Sequence, residues 1–256
     1  YFSQSFIKET CLWKRVEING TILDYDFTVN HQVWFAIAGC MLNAYEKDAE
    51  IESQVNSFMK ELLNKHFRIY HNGLIRHYLN IERPNSSISF KSMVKRTIKD
   101  SLVIMRKVDP NRYDSKSQEK GYHIFELYGY AILKSFRPND PLFSSEKFQK
   151  ALDYGLAINK LNKVLNIDKI ISGKSYCQMN KYAYGYNSPA FELPYIFFVF
   201  SHYDDYKKEL VDSMFNIQKK LVLNYKSGEL DRNNFDSETL TARLYEYIRY
   251  FDTIGV

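Results

Sequence analysis

Cysteine is scarce: the chain carries only Cys11, Cys40 and Cys177, far apart and odd in number. No CxxC spacing occurs, so neither a zinc ribbon nor a disulfide framework is indicated. Cys40 lies in an apolar run and reads as a small core residue; a mildly reducing compartment is favoured. Runs of like charge are missing too. The net charge is +5 and no five consecutive Lys or Arg occur, so there is no nucleic-acid-binding arm. Nor is there an apolar stretch of the ~18 residues a membrane-spanning helix requires. The longest candidate, Phe191 to Phe200, is short and contains Pro194. No signal peptide is visible, but the chain opens at Tyr1 rather than Met, so the compartment stays open. GxGxxG, Walker A, HExxH and GxSxG are all absent. His66, His71 and His77 show no metal-ligand spacing and read as surface residues. No cofactor or metal is expected.

What the chain does have is aromatic mass. Its 256 residues include 21 Tyr and 18 Phe. Such side chains bring large buried area, and each Tyr hydroxyl needs a partner or water. They suit a cleft that stacks on sugar faces; an aromatic core is the simpler explanation. The mild basic excess is compatible with acidic substrates such as uronate-bearing glycans.

Helical periodicity dominates. Residues 30–46 show a wide apolar face, with Thr28 as the expected cap. Residues 49–65 are amphipathic and start at Asp48. In 67–80 the His71-Asn72-Gly73 turn between apolar runs predicts a short β-hairpin. A helix is expected over 89–107 and a polar loop over 109–118. Residues 121–136 are nearly all apolar, followed by an amphipathic partner at 145–164. A long loop is expected over 168–186. The pattern repeats with 188–203 and 205–223, and a last helix spans 236–251. Buried helices thus alternate with amphipathic partners, a structural repeat without sequence identity. This predicts an all-α, single-domain chain (1–256, trimmed at its ends or not). Its fold is an α/α toroid, complete or incomplete, with a helical solenoid as the competitor.

The candidate chemistry sits before each buried helix. If these helices run in one direction, their polar N-terminal tips converge, where free N–H groups favour anions. Ordinary capping by Asp, Asn and Ser explains the same pattern. Asn30 and His31 head the first helix; His is a general acid or base near neutral pH. Asp24 and Asp26 precede them, and carboxylates there could serve glycoside hydrolysis. Glu126 and Glu192 each sit inside an apolar helix, where a carboxylate must be paired, protonated or functional; Glu192 follows a polar tip and is the stronger candidate. Tyr122, His123, Tyr184, Tyr186, Asn187, Trp34 and Asp236 complete the set, as proton carriers or sugar-binding groups.

The Asn30-His31 pair opening a buried helix, among paired helices and Tyr-rich loops, resembles the toroid of heparinase II/III-type and alginate-type polysaccharide lyases. That resemblance implies β-elimination at a uronate, with Asn30 on the carboxylate and His31 and a loop tyrosine, Tyr122 or Tyr186, moving protons. A hydrolase on the same fold would pair Asp24 or Asp26 with Glu192 or Asp236. A non-catalytic helical-repeat binding protein is the alternative, and it predicts tips spread more than ~20 Å apart, beyond one ligand pocket. The expected partner of an enzyme is an oligo- or polysaccharide, with neither nucleic acid nor membrane.

Overall fold

Three short strands lie before the first α-helix, an element absent from the all-α expectation. A computed structural model describes residues 2–17, 19–79, 115–157, 180–184, 187–200, 205–232 and 237–254. Strands β1 (Phe6–Ile7), β2 (Leu12–Val16) and β3 (Ile22–Tyr25) make an antiparallel sheet in that order. The register pairs Phe6 with Trp13 and Lys14 with Tyr25. Trp13 anchors the sheet. It is fully buried, with the rings of Phe2, Phe6, Phe35 and Phe58 at 5.0–5.9 Å. Burying such a ring stabilises by roughly 2–3 kcal/mol.

The rest is mostly helical. Helix α1 (Val29–Tyr45) is followed by α2 (Ala49–Glu61) and one π turn (Leu62–His66). Then come α3 (Ser115–Phe136), α4 (Pro141–Ser144), α5 (Glu146–Leu156), α6 (Lys181–Tyr184), α7 (Pro189–Val199), α8 (Asp205–Val222) and α9 (Ser237–Ile254). Asp48 caps α2 as its sequence position requires, accepting from the Glu50 and Ile51 amides at 2.8 and 3.1 Å. Thr28 does not cap α1 with its side chain. Its hydroxyl donates to Asp26 instead, at 2.7 Å. Helix α3 begins at Ser115, inside the stretch expected to be a loop, and α6 lies within the expected 168–186 loop. Helix α7 starts at Pro189, where the missing N–H is harmless, and runs through Pro194. The helix expected over 89–107 lies outside the described residues.

Residues 67–79 form the hairpin-like excursion. Tyr70 N–H donates to Leu74 O at 2.8 Å, Arg76 N–H to Arg68 O at 2.9 Å, and Ile69 bridges Ile75. The turn differs from the primed type. Only Gly73 takes positive φ, at 97°, and Asn72 instead accepts from Leu74 N–H through its side chain.

Buried and amphipathic helices alternate as the periodicity implies. Helix α2 packs on α1, α5 on α3, and α8 on α7. The buried helices form their own row: α1 on α3, α3 on α7, α7 on α9. The row is parallel. Asn187 meets Gly121 and Val199 meets Lys134, 66 and 65 positions apart, and Tyr128–Tyr195 keeps that spacing between them. Likewise Val33 faces Gly129 and Cys40 faces Arg137, while Glu192 meets Arg243 and Phe198 meets Tyr250. Their N-terminal ends therefore lie on one side.

Candidate functional site

The tip of α1 is built around Asp26. This carboxylate is buried at 7% exposure and accepts from Thr28 N–H (3.1 Å), the Thr28 hydroxyl and the His31 ring. The Asp26 Oδ2 to His31 Nδ1 distance is 2.5 Å. Burial by itself would raise the carboxyl. The His31 and Thr28 bonds and the His31 charge outweigh it and hold Asp26 at about 2. An ionised Asp26 makes Nδ1 the protonated nitrogen and leaves Nε2 for a ligand. The His31 side chain is 55% exposed, so its free edge reaches solvent. Gln32 holds this tip to the sheet: it accepts from Trp13 N–H and donates to Trp13 O and Asp26 O. Asn30 is buried, and its Oδ1 has no hydrogen-bond partner among the described residues.

The hairpin joins this tip to α3. Val29 N–H donates to His77 O at 2.9 Å, and Thr28 bridges Tyr78. His77 is buried at 3% exposure, with Nδ1 2.9 Å from Glu126 Oε1. Burial pushes the Glu126 carboxyl up, against the downward pull of His77. The half-buried Tyr122 ring lies 4.6 Å from the His77 ring and 6.2 Å from Tyr182. His123, one residue on, points elsewhere. It is fully buried, accepts from Ile75 N–H at Nδ1 and sits 3.1 Å from Ala151 O at Nε2. Burial lowers its pKa to about 4. It ties the hairpin to α5 as a neutral imidazole.

The tip of α7 is knitted to α3 by Asn187, which donates to Gly121 O and Tyr182 O at 3.2 and 2.7 Å. Glu192 is fully buried and turns back to accept from Ser188 N–H at 3.3 Å. On α9, Arg243 Nη1 lies 2.9 Å from Glu246 Oε1 and 3.8 Å from Glu192 Oε1, with its guanidinium over Phe125. Burial and then the Glu246 charge push Glu192 well up; burial pushes Glu246 up to about 7, against Arg243 and Arg249.

Some sequence candidates therefore meet. Asp26 and His31 are bonded, and the tips of α1 and α7 both reach the middle turns of α3, α1 through His77 to Glu126 and α7 through Asn187 to Gly121. Tyr122 and His123, expected at a helix tip, lie inside α3, which begins at Ser115. Trp34 stacks on Phe125 at 5.8 Å within the row. Asp24 lies on β3 and Tyr184 on α6, with their side chains outside the described set; Tyr186 and Asp236 lie outside the described residues altogether. Two histidines expected at the surface, His66 and His77, are buried. His77, Glu246 and Arg243 escaped sequence reasoning. Glu126 opposite a buried hairpin was the one available hint for His77. Among the described residues no metal-ligand set of three or more His, Cys, Asp or Glu gathers. No described helix is long and apolar enough to cross a membrane. Two open depressions of about 430 and 420 Å³ lie away from these tips, at Phe136–Pro141 and along α2.

No protein-family description matches the chain, and no solved structure matches it. The chain is similar to the archaeal glycosylation protein Q of Haloferax volcanii, 31% identical over 258 residues. The alignment takes in 98% of this chain and 64% of that protein, so the chain spans less than two thirds of its relative's length.

Proposed function

We propose that this chain, which is similar to a protein named for glycosylation, acts on glycans, and that it modifies a uronate-bearing oligosaccharide by proton transfer at the tips of the inner helices. The observation that carries the reading is the Asp26–His31 pair: a buried carboxylate fixing the tautomer of a solvent-facing imidazole. His31 takes the proton next to the uronate carboxylate, Asp26 orients it and stabilises the imidazolium, and Tyr122 is the second proton carrier. The α1 tip, headed by Asn30 and His31, faces the substrate carboxylate, since helix N-termini favour anions. On this reading the parallel row is an arc of an α/α toroid.

The two-carboxylate hydrolase fits less well. Asp26 is committed to His31 and held ionised, so it is no general acid at neutral pH. Glu192 is enclosed by Ser188, Arg243 and Glu246. The non-catalytic alternative expects separated tips, whereas hydrogen bonds tie those of α1 and α7 to neighbouring turns of α3.

Elimination and epimerisation share the abstraction step and part at the product. Uronate oligosaccharides incubated in D₂O distinguish them. Elimination yields an ultraviolet-absorbing unsaturated product; epimerisation yields deuterium at the carbon next to the carboxylate without that absorbance. Either signal should disappear in His31→Ala and Asp26→Ala. Full turnover in both variants, or a plain saturated reducing end as the only product, overturns the proposal.

A further inference from the structure

The 67–79 hairpin carries two arginines that form no close ion pair among the described residues. Arg76 N–H donates to Arg68 O, and Ile69 bridges Ile75, so residues 68 and 76 stand opposite each other across the hairpin. Cross-strand neighbours have their side chains on one face, and like charges placed so are destabilising. Neither arginine forms an ion pair among the described residues. Arg76 instead lies over the Tyr70 ring, 4.4 Å from its centroid. Arg68 donates through Nη2 to Tyr78 O at 3.1 Å, while its Nε is buried without a hydrogen-bond partner among the described residues.

Glu119 is the acid beside them; it is buried, forms no ion pair with either arginine, and its Oε2 has no hydrogen-bond partner among the described residues. Burial pushes its carboxyl up. Two guanidinium groups that form no ion pair among the described residues thus share a face with an aromatic ring. Guanidinium forks match the geometry of planar or tetrahedral oxyanions. The face adjoins the tips: His77 and Tyr78, directly after Arg76, are the residues that hold α1.

We propose that Arg68 and Arg76, braced by Tyr70, form an oxyanion-binding subsite beside the His31 tip, taking a carboxylate or phosphate group of the ligand. The choice of a glycan carboxylate as one source rests on the proposed function; the oxyanion chemistry does not.

The test follows the arginine Nε–H NMR signals of the full chain at fixed ionic strength, with inorganic phosphate in one titration and glucuronate in the other. Saturable shifts of the Arg68 and Arg76 signals in at least one titration are expected. Arg68→Gln/Arg76→Gln should weaken binding by about tenfold or more, the loss of hydrogen bonds to a charged group. Arg68→Lys/Arg76→Lys should fall between, keeping charge but losing the fork. Tighter phosphate binding assigns the subsite to a phosphorylated sugar or carrier, and tighter glucuronate binding to an acidic sugar. Absence of saturable shifts in both titrations overturns the proposal, as does unchanged affinity in a folded Gln variant. If the Gln variant does not fold, the wild-type and Lys-variant titrations decide. The phosphate titration needs no turnover, so a failed activity assay leaves it intact.

Discussion

Replacing Asp26 by Asn should cost stability at neutral pH and cost almost nothing at low pH. The folded protein holds this carboxyl at about 2, from an ordinary 3.8. That difference corresponds to about 2.4 kcal/mol favouring the charged form in the native state. The carboxylate is buried but its partner imidazole is 55% exposed, so solvent screening reduces the contribution to about 1–2 kcal/mol. The sign follows from proton binding. A group with a depressed folded pKa binds more protons when unfolded, so its contribution is present above about pH 4 and is lost as pH falls through about 2. Urea unfolding followed by circular dichroism should show the Asp26→Asn midpoint lower by about 0.5 M at pH 7. The gap should close between about pH 4 and pH 2. The raised buried carboxyls, Glu126, Glu192 and Glu246, occur in both proteins and cancel in the difference. Equal midpoints at pH 7, or a gap unchanged down to the lowest pH, would refute the assigned Asp26–His31 electrostatics.

Three further outcomes follow from the same geometry. His77→Ala removes one partner of a buried pair and leaves Glu126 without it, so chemical denaturation should show a loss of about 3 kcal/mol or more. Gly121→Ala puts a Cβ 2.4 Å from Tyr182 Cβ, with backbone of α6 close behind; the overpacking should destabilise by roughly 1–3 kcal/mol and shift the NMR signals of Tyr182. Glu246 is held up to about 7, so it favours folding while protonated and stops doing so as pH rises from its unfolded range through 7. The wild type should therefore lose stability relative to Glu246→Gln as pH rises across 5–7, a difference read from paired pH series of thermal melts in which the other titrating groups, the buried His123 included, are common to both.

The paired-helix pattern was readable because its signal is local and periodic. Val55, Phe58, Met59 and Leu62 fall on one stripe, and that stripe is what α2 and the π turn bury. The sheet was unread because its strands are short and its burial is uneven; only Trp13 and Leu12 of β2 are fully enclosed. Thr28 had the right chemistry for a cap, but a buried carboxylate two residues earlier offered its hydroxyl a stronger acceptor. At the candidate site, Asn30-His31 stood out by sequence adjacency, and Asp26 lies only five positions before His31. His77 did not, because its partner Glu126 is 49 positions away. Pairs of that kind are fixed by tertiary packing, and no window along the chain contains both members. The same holds for Arg243, which meets Glu192 only when α9 docks on α7.

The parallel row also constrains how the chain folds. Antiparallel neighbours such as α1 and α2 are joined by a short link and can associate soon after they form. Parallel neighbours cannot, because the chain must return to the starting end before the next helix of the row begins. The contacts of α3 with α7 close loops of 65 and 66 residues. Such closures carry an entropic penalty that is met before any of their contacts form, and a larger share of non-local contacts slows folding. Helix pairs are thus the early units and the seam between the parallel helices is the late one. The tip residues, which lie across that seam, come together only when it closes, so a chain with well-formed helices and an open seam would have normal far-ultraviolet dichroism and no assembled site.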